Sequence, residues 1–253
     1  MRRYSVSIIV PTYNERPNVA PLVEEVFAVL SACPQIDAEM IFVDDASPDG
    51  TGEAVEALAG HWPVRLVRRS GKQGLGGAVL AGFAASDRPL LCVMDGDLSH
   101  DPALLPRLVQ AMADYDLAVG SRFGPGSGVE RWTFGRKWLS LAGVWLARRL
   151  TGLPDPLSGY FCLRRGVLAA MPARPVSTGY KILLEICLAG GVRRACSLGY
   201  VFRQRRHSRS KLGGREYLLF IKQLVVHGAR RLAAETASGG SLTSNVEQRR
   251  VIS

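Results

Sequence analysis

The chain has 253 residues, of which 47% are hydrophobic and 21% charged, and it carries a formal net charge of +10. That length buries a sizeable core as one large domain or two small ones, and that composition excludes wholesale disorder. Residues 1–119 hold 9 Lys/Arg against 16 Asp/Glu and residues 120–231 hold 21 against 4, so the second half is built to meet something anionic: nucleic acid, phosphate or an acidic membrane leaflet.

The first predicted element is a strand over "VSIIV". Arg2 and Arg3 stand before it and Pro11 closes it, a pattern from which no signal peptide is expected. A helix follows from Asn18 to Ala32, then a strand over "EMIFVDD", a helix near Glu53 to Ala59 and a strand over "VRLVRR". A Gly-rich entry leads into the helical "GGAVLAGFAAS"; "LLCVMDGD" is the next strand, Pro102 to Ala113 the next helix, and "DLAVGSRF" the strand after it. This βαβα rhythm, with apolar strands buried on both faces, predicts an α/β fold with a mostly parallel central sheet and helices on both sides. Ligands of such open sheets bind at the carboxyl ends of the strands, here "PTYNE", "DDASPDG", "DGDLSH" and "GSRF".

Beyond Phe123, "GPGSG" reads as a mobile loop and Gly135 to Leu150 as a helix. "DPLSGYFCLRR" comes next, then a helix around Lys181 to Ala189, a strand-like "SLGYVF" and the basic loop "RQRRHSRSK". Glu216 to Leu232 form an amphipathic helix, and the tail from Thr236 has no apolar pattern and is expected to be disordered. The organisation is a catalytic domain over 1–215, a membrane- or partner-facing helix over 216–235 and a tail over 236–253. The late apolar runs are cut by Arg148 and Lys222, short of the roughly 20 residues a membrane span needs. Cys33, Cys92, Cys162, Cys187 and Cys196 form no CxxC pair, and no His stands at zinc-ligand spacing, so reduced thiols in a cytoplasmic protein are expected.

Asp95 and Asp97 stand i and i+2 past an apolar strand. Two hard carboxylates on a turn suit Mg²⁺ or Mn²⁺, which takes one or two carboxylates and completes its shell with substrate phosphates. Gly96 lets the backbone bend between them. The Gly-rich Gly74, Gly76 and Gly77 lack a following GK[ST], and no GxGxxG follows the first strand, so neither a P-loop nor a dinucleotide fold is indicated.

The run "SIIVPTYNE", "VDDASPDGT", "KQGLGGA", "MDGDLSH", "GSRF", "RKWLS", "DPLSGYFCLRR", "GYKILLE" and "RSKL", in this order from Ser7 to Leu212, resembles the inverting glycosyltransferases of the GT-A fold. Within them it resembles the polyprenol (dolichyl) phosphate mannose synthases. The resemblance implies transfer of a hexose, mannose first, from GDP-mannose to a polyprenyl monophosphate, with Mg²⁺ or Mn²⁺ as cofactor. It implies a donor-nucleotide site at Pro11, Tyr13, Glu15, Val43, Asp45, Lys72 and Asp95, with Arg205 and Lys211 in a basic loop over the diphosphate, and a metal site at Asp95, Asp97 and Ser99. Arg122, Arg136 and Ser140 match its acceptor-phosphate site, and Asp97, Arg122 and Arg136 its catalytic set. His207 and Arg209 depart from the residues many relatives carry in the basic loop.

A phosphomonoester is already largely an anion at neutral pH, so no general base is required. The work left to the protein is to hold two anions together, neutralise the leaving diphosphate and align the reacting atoms, with Asp155 shaping the pocket or orienting a sugar hydroxyl. The rival readings are a UDP-sugar-dependent transferase to undecaprenyl phosphate or to a hydroxyl, and a non-catalytic nucleotide-sugar-binding subunit. The processive QxxRW signature is absent, since "GVERW" has Gly128 where Gln belongs. Nucleic acid is not an expected partner, because the basic half carries no reader motif. The expected partners are a nucleotide sugar, a polyprenyl phosphate, the cytoplasmic face of a membrane and, as in some relatives, a small membrane-anchored subunit.

Overall fold

Side chains alternate across a strand, so β1 (Tyr4–Thr12) sends Val6, Ile8 and Val10 to one face of the sheet and Ile9 to the other. In the computed structural model both faces are covered, which is why the strands read as nearly continuous apolar runs. The described residues are 2–72, 74–124, 126–129, 145, 147–172, 182–189 and 191–204. The expected helices at 135–150 and 216–232, the basic loop from Arg205 and the tail lie wholly or largely outside them.

The remaining elements are α1 (Arg16–Ser31), β2 (Ile36–Asp44), α2 (Thr51–Leu58), β3 (Val64–Arg68), α3 (Leu75–Ala85), β4 (Leu90–Val93), a 3₁₀ turn Pro102–Leu104 running into α4 (Leu105–Ala111), and β5 (Leu117–Ser121). Then come β6 (Gly128–Val129), β7 (Phe161–Arg164), α5 (Ile182–Leu188), β8 (Ala195–Gly199) and β9 (Val201–Phe202). The seven-stranded sheet has the order β3-β2-β1-β4-β7-β5-β8, parallel throughout except for β7. The expected mostly parallel sheet with helices on both faces is therefore present.

Helix α1 starts with Pro17 in its first turn, where a missing N–H costs nothing. Its Val19, Leu22, Val23, Val26 and Leu30 fall at helical spacing and meet Val6, Ile8, Met40 and Phe42 in one core, to which α2 and α4 also contribute. On the opposite face α3 and α5 pack Val79, Phe83, Ile182 and Ile186 against Ile9, Ile41, Leu91 and Val119. Helix α3 approaches the sheet closely because Gly82 has no side chain. A Cβ there would stand 2.3 Å from Ile9 Cγ2 and 3.1 Å from Val43 Cγ2.

Three features differ from the sequence reading. "DPLSGYFCLRR" holds a strand, β7, that inserts antiparallel between β4 and β5, with Phe161 opposite both Val93 and Val119. Its amino end therefore points the same way as its neighbours' carboxyl ends, which brings Asp155–Tyr160 to the site edge. "GPGSG" is not wholly loop: Gly128 and Val129 pair with Val201 and Phe202 in a two-stranded parallel sheet. "SLGYVF" divides into β8 and β9 at Tyr200.

Gly82→Val is expected to lower the unfolding free energy by about 3 kcal/mol, at the upper end of what overpacking a core costs. Urea denaturation checks this, and a loss under about 1 kcal/mol would mean that α3 lifts freely off the sheet.

Candidate active site

Strand order reverses between β1 and β4: the chain runs outward through β2 and β3, then returns to the other side of β1. The crevice at such a switch point is where open α/β sheets bind ligands. Each strand beside it ends in a left-handed residue that is not glycine, Asn14 after β1 (φ 56°), Ala46 after β2 (φ 56°) and Leu98 after β4 (φ 63°). Among the described residues these are the only non-glycine residues with positive φ, and such strain gathers where backbone is aimed at a ligand.

The residues expected to meet the donor stand at or after the ends of β1, β2 and β3, beside this crevice. Lys72 Nζ lies 4.8 Å from the centroid of the Tyr13 ring. Glu15 is buried and accepts from Asn18 Nδ2 at 2.7 Å, while its backbone N–H donates to Thr51 Oγ1 at 3.0 Å. Asp45 lies against Arg69, whose Nη1 donates to Asp45 Oδ1 at 2.5 Å, both side chains being nearly buried. Neighbouring Asp44 accepts from Thr12 Oγ1 and from the Ser47 N–H and hydroxyl, which locks the turn after β2 to β1. Pro11 pairs in register with Val43, whose side chain is buried in the core beneath. Arg69 is the last residue of "VRLVRR", and the rule that ligands meet strand carboxyl ends would have found it.

Asp95 and Asp97 stand past β4 and differ in setting. Asp95 keeps 26% of its side chain exposed, whereas Asp97 is buried and its Oδ1 accepts from the Ser99 N–H at 3.1 Å and the Ser99 hydroxyl at 2.5 Å. Ser99, with no exposed surface, thus braces Asp97. Gly96 does not adopt positive φ; the left-handed residue of this turn is Leu98. Gly96 matters for space, because a Cβ there would meet Thr12 Cγ2 at 3.1 Å. Gly159, from the turn before β7, faces Asp95: a Cβ there would lie 3.2 Å from Asp95 Oδ1. Among the described residues no group of three or more His, Cys, Asp or Glu could hold a metal unaided. Two carboxylates beside an open cradle fit a cation that draws its other ligands from phosphate and water.

On the far side, Arg122 is clamped by Asp155, which has no exposed surface. Asp155 Oδ2 accepts from the Arg122 backbone N–H at 3.1 Å and Nε at 2.8 Å, and Oδ1 accepts from Nη2 at 2.9 Å. Burial pulls the Arg122 guanidinium down in pKa, but bonding to Asp155 and the attraction of its charge outweigh this and hold it above its ordinary value. Asp155 therefore fixes Arg122, and both its oxygens are engaged in doing so. Beside them a groove of about 420 Å³ is lined by Phe123, Gly124, Arg148, Gly152, Leu153 and Pro154. The Arg148 guanidinium lies 4.6 Å from the Phe123 ring centroid. Arg136, Ser140, Arg205 and Lys211 lie outside the described residues.

Two residues that sequence reasoning passed over lie beneath this site. Tyr200 is buried and its hydroxyl has no partner among the described residues, and its pKa is pushed far above the usual phenol range by burial and, against the pull of Arg122, by Asp155, Asp95 and Asp97. His100 stacks on Tyr160 with centroids 4.7 Å apart. Only its place at the end of "DGDLSH" hinted at a role, and nothing in sequence pointed to Tyr200.

A switch-point crevice holding two carboxylates and a braced arginine agrees with the resemblance to the GT-A glycosyltransferases, and similarity to known proteins shows the class. The chain belongs to glycosyl transferase family 2, whose family model matches residues 7–170. It is 37% identical over 229 residues to the dolichol-phosphate mannosyltransferase of Pyrococcus furiosus, covering 87% of this chain and 63%, less than two thirds, of that protein. It is 36% identical to the dolichol-phosphate mannosyltransferase of Saccharomyces cerevisiae, covering 86% of this chain and 85% of the yeast protein. Its identity to the polyprenol monophosphomannose synthase of Mycolicibacterium smegmatis is 42%, over 71% of this chain and 69% of that protein. Among solved structures, the fold matches glucosyl-3-phosphoglycerate synthase of Mycobacterium tuberculosis in complex with Mn²⁺, UDP and its product, with TM-score 0.65 and 18% identity over 91% of this chain and 80% of that one.

Removing either partner of the Arg122–Asp155 pair leaves a charge stranded, so Arg122→Ala and Asp155→Ala are each expected to cost about 3 kcal/mol or more. The double variant should fall short of the sum by at least about 1.5 kcal/mol, which a denaturation double-mutant cycle measures. Strict additivity would show that the pair contributes nothing beyond packing.

Proposed function

We propose that this glycosyltransferase moves mannose from GDP-mannose to a polyprenyl monophosphate, with inversion, at a membrane surface. The observation that carries the reading is the Arg122–Asp155 clamp across the crevice from Asp95 and Asp97. Two of the guanidinium nitrogens serve Asp155, and Nη1 makes no bond to a described residue, which leaves one edge of a fixed cation for a second anion. A guanidinium held in this way suits a phosphate oxygen. The names of the curated relatives agree with a lipid-phosphate acceptor.

The donor side is Pro11, Tyr13, Glu15, Val43, Asp45 and Lys72, with Arg205 and Lys211 over the diphosphate; Arg203, two residues before Arg205, donates its backbone N–H to Ser99 O at 3.0 Å. Asp95 and Asp97, with Ser99 at the side of Asp97, would hold Mg²⁺ or Mn²⁺ on the donor diphosphate. When bound, the cation offsets charge on the leaving group. Arg122, joined by Arg136 and Ser140, holds the acceptor phosphate as the nucleophile, and no side chain has to take a proton. Asp97, Arg122 and Arg136 are the residues on which turnover depends most.

Membrane contact is supported by Trp145, which is 61% exposed, with the Arg149 guanidinium 5.5 Å from its ring centroid. An indole beside a cation is the pairing that settles in a headgroup layer. No helix among the described residues is long and apolar enough to cross a membrane. The protein then acts peripherally, on the cytoplasmic face, alone or with a small anchored subunit.

The direct test is a panel of GDP- and UDP-sugars with polyprenyl phosphate and Mn²⁺ or Mg²⁺, followed by extraction of the lipid product. Mannolipid from GDP-mannose alone is expected, and glucolipid from UDP-glucose would replace the donor assignment. Asp97→Ala should abolish product, and because it strands the buried Ser99 N–H and hydroxyl it should also cost about 1–3 kcal/mol of stability. Anionic vesicles should pellet the protein at low salt and release it at high salt, with Trp145→Ala weakening the association. Full activity on dispersed acceptor with no pelleting would transfer delivery to a partner subunit.

A further inference from the structure

The stack that fills the space beneath Asp95 contains a ring whose nitrogens both face that residue. His100 is 2% exposed. Its Nδ1 accepts from the Asp95 backbone N–H at 2.9 Å, and its Nε2 lies 3.7 Å from Asp95 Oδ2. A backbone N–H can only donate, so Nδ1 carries no proton and the ring proton sits on Nε2, on the side of the carboxylate. One imidazole therefore meets Asp95 at two points, main chain and side chain.

The ring itself has little freedom. Tyr160 stacks on it at 8°, and Tyr200 and Phe202 close its edges at centroid distances of 5.9 and 5.7 Å. Tyr160 is fixed in turn, its hydroxyl donating to Asp101 O at 2.9 Å. Gly159 leaves room for both partners, since a Cβ there would stand 3.2 Å from Asp95 Oδ1 and 3.4 Å from His100 Cε1. The aromatic layer thus ends in a polar contact with the more exposed of the two site carboxylates. A ring serving only to fill the core would need neither nitrogen there.

We propose that His100 is a positioning residue that sets the backbone and carboxylate of Asp95 for cation binding, an inference that rests on reading Asp95 and Asp97 as the cation site. His100 does not touch the cation or either substrate. Through it, the packing of β7 and of the segment after β8 governs how firmly the site holds its metal, as residues behind a ligand commonly do.

The test separates the hydrogen bond from the stack. H100F keeps an aromatic ring on Tyr160 and loses both nitrogens, whereas H100N keeps an acceptor at the δ position and loses the stack. Mn²⁺ binding to the full chain with GDP is followed by the electron paramagnetic resonance signal of the free ion, with thermal melts of each variant. H100F is expected to weaken Mn²⁺ binding about tenfold or more and H100N no more than about threefold. The reverse order, or wild-type binding by H100F, would assign His100 to packing and overturn the proposal. If H100F does not fold, H100L takes its place under the same criteria. D97A marks which idea has failed: Mn²⁺ binding that survives in D97A removes the cation site and this inference with it, whereas loss in D97A but not in H100F removes the inference alone.

Discussion

A carboxylate without exposed surface must find its positive partner inside the protein, and Asp155 finds it in Arg122. Much of the site geometry depends on that pair. Arg122 follows β5 directly, and Asp155 precedes β7, the strand beside β5, so the ion pair joins two segments more than thirty residues apart at one sheet edge. With Asp155 anchored, the turn to Tyr160 is carried across the ends of β4 and β5: Ser158 donates to Gly120 O, Tyr160 to Asp101 O, and Gly159 comes to face Asp95. Arg122 and the carboxylates past β4 are thus parts of one braced surface.

The basic character of the second half has a partly structural explanation. Arg164 donates to the carbonyls of Met112, Ala113 and Tyr115 just past α4, and Arg165 to that of Phe83 in the last turn of α3 and those of Ser86 and Arg88 just past it. Helix carboxyl ends expose carbonyls that nothing inside the helix can satisfy, and a guanidinium serves several at once. Arg203 is likewise held by Glu25 and Asp101. A charge count along the chain cannot separate such arginines from those that face a ligand, since both are Arg in basic stretches. Arg122 spends its fork on Asp155.

The two sides of the crevice are stiffened by different means. Past β1 and β2 the chain is held by side chains bonding to turns, as Asp44 does with Ser47 and Thr12, and by left-handed residues that aim the backbone. Beneath the centre, aromatic rings supply the stiffness, with His100, Tyr160, Tyr200 and Phe202 in mutual contact. A site that works by electrostatics gains from such rigidity, because groups already in position need not reorganise as charge moves.

By itself the sequence determined the strands β1 to β5, the helices between them and the polar clusters at their carboxyl ends, because side-chain periodicity is a local property written in consecutive residues. It also marked Asp95, Asp97, Asp45 and Arg122 as residues at strand ends, and the resemblance carried by its motifs agrees with the family match. Tertiary structure alone decided the direction of β7, the partner of Asp155, the pairing of Asp45 with Arg69 and the seat of His100 under Asp95. Each of these depends on which distant segments become neighbours in the sheet. Strand order and direction follow from how whole faces pack against one another, a non-local sum that no window of the chain contains.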